Sequence, residues 1–562
     1  MVEVAAAILS EADWTAAING ARDRASHFVA YELALKAIAA YPASLWFEHQ
    51  AILALARAGA LTGALDRYRR LEHDGRLEQL TGHLAGEFAG LGGRLFKDLA
   101  ARSTGAAVLQ NRLKSAETYR AGFLHLGQYY LAINAAAMYL AAGHPDLARD
   151  YAVIAHDRAA AQTPDYWSRV TEAEALLILQ EPAKAAERLR EAAALGAGRL
   201  ADLATTRRQL TWVAALAGMP ADVIDNLPEP LVLSWVSCPQ FPSLAGLAAH
   251  LSASGLCACG PVLCAADIAI AQALLDAGAR EVNLVLPCEP EHLAHDLPEI
   301  AQTLPALLSH PNVTKLLVTR EGGAFEPAAR LLCQPPARGL AYLRAQSLAV
   351  QPKLLSPAAT RPIPRDNADL DAAAPPFALG PDRLRKPHAI VFGDVRGFSK
   401  LDESAQLRFL DHIIGGFADV LARYPATEYT ETAGDGLFVV LSDITAAARC
   451  CFGLLDILRP EHVAAAGLPP HLALRLSAHV GPLYERFDRV IGRAKFCGME
   501  VIRTARIEPV TRPGEIFVTE QFAAALACAA SNEFICEYVG VQPMAKGFGE
   551  CAMYSLRRLQ ER

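Results

Sequence analysis

From its start to about residue 225 the chain carries apolar residues at three- and four-residue spacing; from about Pro228 onward, short apolar runs of strand length alternate with amphipathic stretches. A helical period does not fit a strand, nor an alternating period a helix, so the chain must build more than one kind of unit. Its 562 residues suffice for three or four domains. In the helical part, Tyr31 to Leu71 shows the arrangement best. Two apolar-periodic runs are broken by Tyr41-Pro42 and by Gly59 and Gly63, with small residues where two helices would touch. Blocks around Gly143-His144-Pro145 and around Glu181-Pro182 repeat it without a strict period. Such a helix pair cannot bury its apolar face alone and has to stack on its neighbours. A degenerate, all-α array is therefore expected over 1–225.

The next 130 or so residues read differently. LVLSWVSC (Leu231 to Cys238), REVNLVLPC (Arg280 to Cys288) and VTKLLVT (Val313 to Thr319) have strand length, and ADIAIAQALLDAGA (Ala266 to Ala279) is an amphipathic helix ended by Gly278. Strands alternating with helices predict a parallel sheet with crossover helices, an α/β Rossmann-like domain over 226–354. Its candidate ligand loop, CACGPVLCAAD, runs into the helix at Asp267 but holds one glycine, Gly260, where a phosphate cradle normally has several. Cys257, Cys259 and Cys264 in that loop lack a second ligand pair at zinc spacing and read as buried thiols. Residues 355–388, rich in Pro, Asp and Ala and without apolar periodicity, read as a semi-rigid linker.

Composition narrows the function classes. Net charge is −7, which does not suit a protein built to coat nucleic acid. No run of about 18 uninterrupted apolar residues occurs, so no membrane span is expected. The first residues, MVEVAAAILSEADW, lack the basic region of a signal peptide, and twelve cysteines are scattered rather than framed. A cytoplasmic setting with reduced thiols is expected. The sixteen histidines show no metal-binding spacing.

The last domain, 389–562, carries the chemistry. AIVFGDV is a strand ending in Asp394, and GFSKL turns into a helix capped by Ser399 or Asp402. In EYTETAGDGLFVVL, two strand-like halves flank Gly434-Asp435-Gly436, a hairpin signal with the aspartate at its tip. A β-α-β-hairpin path would bring Asp394 and Asp435 to one end of one sheet. Two convergent carboxylates suit Mg2+ or Mn2+, hard cations that take oxygen ligands and keep positions for phosphates.

FGDVRGFS and ETAGDG resemble the two metal-binding motifs of class III adenylate and guanylate cyclases. LRLSAHVGPLYE, FCGMEVIRTARIEPVTRPGEIFVTEQF and EYVGVQPMAKGFGECAMYSL resemble, in order, the strand before the dimerisation arm, the transition-state segment and the closing strands. The likeness runs from about Ala389 to Leu559 and implies an α+β ferredoxin-like cyclase domain. It further implies an intracellular-signalling enzyme that makes a cyclic nucleotide and pyrophosphate from a nucleoside triphosphate. Asp394, Asp435 and the carbonyl of Val395 match the positions that hold two metal ions. Arg506 matches the arginine that stabilises the pentacovalent phosphate, and Lys546 the lysine that holds the terminal phosphates. Glu431 and Lys495 fall at the two base-reading positions. A glutamate at the first is the guanylate-cyclase choice, while Lys495 matches neither usual residue, so ATP and GTP both remain open. Ile502 replaces the asparagine that orients the ribose. The resemblance also implies a homodimer with the active site between two domains. Two other outcomes stay open: pairing with a second cyclase, and a degenerate domain acting as a nucleotide-binding or dimerising scaffold. The helical part resembles tetratricopeptide repeats, and from Glu117 to about Ala217 the TRAFs-binding region of signalling kinases and bacterial cyclases, which implies a protein partner. The middle part resembles the nucleotide-sensing, lysine-decarboxylase-like (LOG-like) modules that precede bacterial cyclase domains.

Overall fold

A computed structural model describes residues 9–23, 26–196, 200–229, 231–235, 256–291, 293, 297–317, 361–362, 386–530 and 532–559. The first part is helical throughout: α1 (Glu11–Asp23), α2 (His27–Ala40), α3 (Leu45–Arg57), α4 (Leu61–His73), α5 (Gly82–Arg102), α6 (Ala106–Leu126), α7 (Tyr129–Ala141), α8 (Pro145–Ala160), α9 (Tyr166–Ile178), α10 (Pro182–Leu195) and α11 (Leu200–Ala217). The breaks fall where the sequence places them at Tyr41, Gly59, Gly143 and Glu181, but Gly63, read as a break, lies inside the first turn of α4. Tyr41 caps α2, and Pro145 and Pro182 open α8 and α10 at the first turn, where a missing N–H costs nothing. α7 is the central helix of the second half. Ala132, Ala135, Ala136 and Ala137 are fully buried on it, and their small side chains let neighbouring helices approach closely.

The middle part contains a parallel sheet of β1 (Leu231–Ser234), β2 (Leu256–Pro261), β3 (Glu281–Leu286), β4 (Val313–Leu317) and β5 (Arg361–Pro362), in the order β4-β3-β2-β1-β5. β3 is buried on both faces, as a central parallel strand requires. The helix α12 (Ala265–Asp276) follows β2, and α13 (Leu304–Leu308) precedes β4. The expected strand at Leu231 ends at Ser234, and residues 236–238 of that run lie outside the described residues, as do 318–319 of the third run. β5 falls inside the stretch read as a linker: its backbone pairs with β1, something no side-chain pattern announces.

The last part is one sheet with helices on both faces. Its strands are β6 (Lys386–Arg396), β7 (Thr427–Ala433), β8 (Gly436–Leu441), β9 (Ala473–Asp488), β10 (Arg493–Cys497), β11 (Ile516–Thr519), β12 (Phe534–Pro543) and β13 (Glu550–Arg558). The order is β12-β13-β11-β9-β6-β8-β7, with β10 paired to β9 beyond the sheet. The helices are α14 (Glu403–Phe409), α15 (Gly415–Leu421), α16 (Ile444–Ile457), α17 (Pro460–Ala465), α18 (Met499–Ile507) and α19 (Glu520–Ala529). Of the two candidate caps, Asp402 is the one that caps α14, its carboxylate accepting from the Ala405 N–H at 2.7 Å. β9 shows how the sheet is dressed. Leu474, Leu476, Ala478 and Val480 point into the main core. On the other face, Ser477 donates to the Thr504 carbonyl at 2.9 Å and His479 Nε2 lies 2.9 Å from Glu500, which seats α18 across the strand.

The helical array is packed against this sheet. The Phe28 ring of α2 lies 4.3 Å from that of Tyr538 on β12 and 6.1 Å, edge-on, from that of Tyr554 on β13. Glu32 accepts from the Tyr538 hydroxyl at 2.8 Å and from the Val541 N–H at 2.9 Å. Glu537, 4% exposed, is paired with Arg102 at the end of α5 and accepts from the Thr62 N–H at 3.2 Å. The exposed backbone of an edge strand is a liability, and here the chain covers it with its own helices.

Candidate active site at the carboxyl end of β6

β6 is a central strand whose apolar stretch, Ala389 to Val391, is buried before the chain reaches Asp394. β7 and β8 join through Gly434 and Asp435. Gly434 has φ 65°, the conformation that a two-residue hairpin takes most readily from glycine. β8 pairs with β6, which brings the Asp435 turn to the end of the strand carrying Asp394. Burial and the neighbouring Asp394 hold the Asp435 carboxyl above the ordinary aspartate range, while the nearby Val395 backbone draws it back down. The structure thus assembles Asp394 and Val395 with Asp435, from which α14, α15 and β7 separate them in sequence.

Two further residues enter this site. Arg475 on β9 stands directly opposite Asp394 in the antiparallel register and is ion-paired with it. Its Nε lies 2.9 Å from Glu508, just past the end of α18. Burial, with Asp394 and Asp435 nearby, pushes the Glu508 carboxyl up to about 7, and Arg475 works against that shift. The site is therefore three carboxylates and one guanidinium. Arg475 lies in the LRLSAHVGPLYE segment, and nothing in that segment reveals which residue it faces across the sheet. Glu508 lies two residues beyond Arg506, and only the turn after α18 directs it inward.

The donor set fits a hard divalent cation. Oxygens converge at a strand end, and burial together with mutual repulsion raises the proton affinity of Asp435 and Glu508, the situation a bound cation relieves. Among the described residues no group of three His, Cys, Asp or Glu is arranged as a complete metal cage, so solvent or substrate oxygens would have to complete the coordination.

The other expected residues sit elsewhere on the same domain. Glu431 on β7 and Lys495 on β10 meet each other, with 2.9 Å between ammonium and carboxylate. Lys495 holds the Glu431 carboxyl below its usual range, and the Tyr429 hydroxyl donates to it at 2.9 Å. Arg506 on α18 is partly exposed and has no hydrogen bond or ion pair among the described residues. Lys546 is exposed in the loop between β12 and β13, in left-handed backbone (φ 60°, ψ 31°) that an ordinary side chain adopts only at a cost. Neither cation is paired with Asp394 or Asp435. Ile502 is 40% exposed on α18, beside exposed Met499 at 38%.

The loop after β2 does not form an open phosphate cradle. A Cβ on Gly260 would come within 2.1 Å of the Trp235 ring, so this glycine serves packing. The Leu263 N–H is taken by the buried Asp267 carboxylate at 2.8 Å. Cys257 and Cys259 are buried.

Residues 28–139 match the family described as Tetratricopeptide Repeats-Sensor, and residues 384–558 match the Adenylate and Guanylate cyclase catalytic domain. Similar solved structures include the adenylyl cyclase CyaB from P. aeruginosa (17% identity, 32% of this chain and 96% of that one, TM-score 0.29). Others are the guanylate cyclase domain of RhGC from Catenaria anguillulae (15% identity, 31% and 96%, TM-score 0.27) and the guanylyl cyclase Cya2 (25% identity, 31% and 92%, TM-score 0.26). No curated protein matches the chain.

Proposed function

With residues 384–558 an adenylate and guanylate cyclase catalytic domain and residues 28–139 a tetratricopeptide-type sensor domain, we propose that this chain is a working nucleotide cyclase. It takes a purine nucleoside triphosphate, GTP ahead of ATP, to the 3′,5′-cyclic monophosphate. The observation that carries this reading is the meeting of Asp394, Asp435 and Arg475 at one sheet end. In the reaction the 3′-oxygen bonds to the α-phosphorus, the bond from that phosphorus to the bridging oxygen breaks, the 3′ proton is lost and pyrophosphate leaves. Asp394, Asp435 and the Val395 carbonyl would hold Mg2+ or Mn2+, two ions per site, which supply charge neutralisation and Lewis acidity when bound. Arg506 answers the negative charge that builds on the α-phosphate, and Lys546 holds the terminal phosphates. Among the described residues neither cation has a hydrogen bond or ion pair, which supports their acting on a second copy's substrate across a homodimer.

Guanine is favoured by the Glu431–Lys495 pair. Its edge offers two adjacent donors, N1–H and the exocyclic amine, to a carboxylate, and an acceptor, O6, to an ammonium. Adenine offers a carboxylate its exocyclic amine alone. The helical region gates the enzyme by holding β12, the strand that runs into the Lys546 loop. The middle sheet couples or spaces the two. A second reading rests on Ile502: a side chain that cannot hydrogen-bond a ribose fits a domain that binds nucleotide without turnover, or that needs a partner cyclase.

Turnover of the purified chain with Mn2+ and each of ATP, GTP, CTP and UTP, beside Asp394→Ala, tests the reading. A cyclic product, largest with GTP and reduced about a hundredfold or more in the variant, is expected. A folded, dimeric protein that yields no product from any triphosphate would move the assignment to the second reading.

A further inference from the structure

The face that α18 turns toward β9 is polar where a packed helix is normally apolar. Glu500, Thr504 and Ile507 are its buried residues, at the four- and three-residue spacing of one helix face, and only the last is apolar. Three contacts tie this face to β9. Arg475 Nε lies 2.9 Å from Glu508, the Ser477 hydroxyl donates to the Thr504 carbonyl at 2.9 Å, and His479 Nε2 lies 2.9 Å from the Glu500 carboxylate. Each step of two residues along the strand, about 6.6 Å, is matched by a step of four back along the helix, about 6 Å. α18 therefore runs antiparallel to β9 with its contacts in step. The contact at Glu500 draws in two further elements. Thr519 at the end of β11 accepts from the Phe522 N–H of α19 at 3.3 Å, and its hydroxyl meets His479 Nδ1 at 2.8 Å. Burial holds the His479 ring below the usual histidine range, against the pull of Glu500, so the ring is neutral. With Nδ1 taken by the Thr519 hydroxyl, Nε2 carries the proton and faces Glu500, which Arg503 approaches to 3.2 Å. Glu500 is 6% exposed and His479 1%. Gly481 makes the room: a Cβ there would stand 2.7 Å from both the Glu500 side chain and His479 Nε2.

Buried polar contacts add little net stability, because each group gives up water to make them. What they fix is geometry: an apolar stripe tolerates sliding and rolling, whereas these contacts close in one arrangement only. That arrangement matters because Met499, Ile502 and Arg506 form the opposite stripe of the same helix, at three- and four-residue spacing. A roll of one residue position turns every side chain by about 100° and would carry the Arg506 guanidinium off the phosphate it meets. Resting on the cyclase reading above, we infer that His479 and Glu500 are positioning residues for the reaction. With Ser477 they lock the roll and register of α18, and so fix where Arg506 meets the α-phosphate.

The test compares the full chain with a His479→Phe, Glu500→Leu double variant, which replaces both partners by apolar groups and leaves Arg503 free to reach solvent. Its melting temperature should stay within a few degrees of the parent's, while kcat falls about tenfold or more and KM changes by less than about twofold. Glu500→Gln, which keeps the side chain's shape, should lower kcat in the same way and guards against a double variant that fails to fold. Because Arg506 acts on the other copy's substrate in this reading, a mixed dimer of the double variant with Asp394→Ala, isolated through two affinity tags, keeps one intact site of two. It should recover about half of the parental rate. An unchanged kcat, or a loss of kcat that the mixed dimer does not recover, would overturn the positioning role. A parent that makes no product would overturn the proposed function instead, and hydrogen exchange of the same two proteins would then decide whether these contacts hold the helix. Faster exchange of the α18 amides in the double variant, with β9 unchanged, supports the lock; equal exchange across α18 overturns it.

Discussion

Asp394 and Arg475 illustrate how single residues acquire roles here: one is a carboxylate at a strand end, the other a strand cation, and register alone makes them a pair. Around them Glu508 has a consequence that can be measured. Its carboxyl is raised to about 7, so relative to an ordinary glutamate near 4.3 its contribution to stability is fully present below pH 4.3 and is lost as the pH rises through about 7. In metal-free buffer, Glu508→Gln should therefore abolish a loss of stability that the parent shows between about pH 4.3 and 7, as read by urea unfolding at several pH values. A parent and variant with parallel pH profiles would show that Glu508 is not buried among like charges. Ile502 carries the second prediction at this scale. Its side chain is 40% exposed, so asparagine should fit with little effect on stability. Ile502→Asn is expected to raise turnover about tenfold, the effect of roughly 1.4 kcal/mol of added transition-state stabilisation. An unchanged rate, with an unchanged KM, would mean the ribose does not meet this position.

Among the elements, the β9–β10 hairpin is the one that ends in solvent. Phe487 (67% exposed), Val490 (94%) and Ile491 (43%) stand on it, and Met499 and Ile502 continue the apolar surface onto α18. A lone exposed apolar side chain is ordinary; this many on one hairpin and its adjoining helix fits the homodimer contact proposed above. Val490→Asp with Phe487→Asp is expected to turn a dimer into a monomer in sedimentation velocity, and to lower cyclisation with it. A double variant that stays dimeric would remove this hairpin from the interface. The β7–β8 hairpin, by contrast, was readable in advance, because Gly-Asp-Gly between two β-branched and aromatic runs has few other conformations. The seating of α18 on β9 through Ser477, His479 and Glu500 was not, since it depends on which strand face remains free once α16 and α19 cover the other.

For the molecule as a whole, the covered edge of β12 is the decisive contact. Glu537 is almost fully buried and relies on Arg102, from a helix more than four hundred residues earlier, and on the Thr62 N–H. Arg102→Ala should leave that carboxylate short of a partner and cost about 2 kcal/mol, measured as a lower urea midpoint. Because β12 leads to Lys546, the same change should alter the cyclisation rate while leaving the preference between GTP and ATP as it is. A rate that does not move, in a variant whose stability has dropped, would separate the packing contact from the gating.

Local pattern determined the kinds of element and the chemistry available. Helical period up to residue 225, strand-helix alternation after it, the breaks at Tyr41-Pro42, Gly143-His144-Pro145 and Glu181-Pro182, and aspartates at a strand end and a turn tip are all properties of neighbouring residues. They were legible because backbone preference and side-chain period act over a few residues. What only the tertiary structure decided is pairing between distant segments: β5 joining β1 from within an expected linker, Arg475 opposite Asp394, Glu431 meeting Lys495, and Glu537 locked under Arg102. Those contacts come from strand register and from which faces remain after the core has closed, and no stretch of chain carries that information by itself.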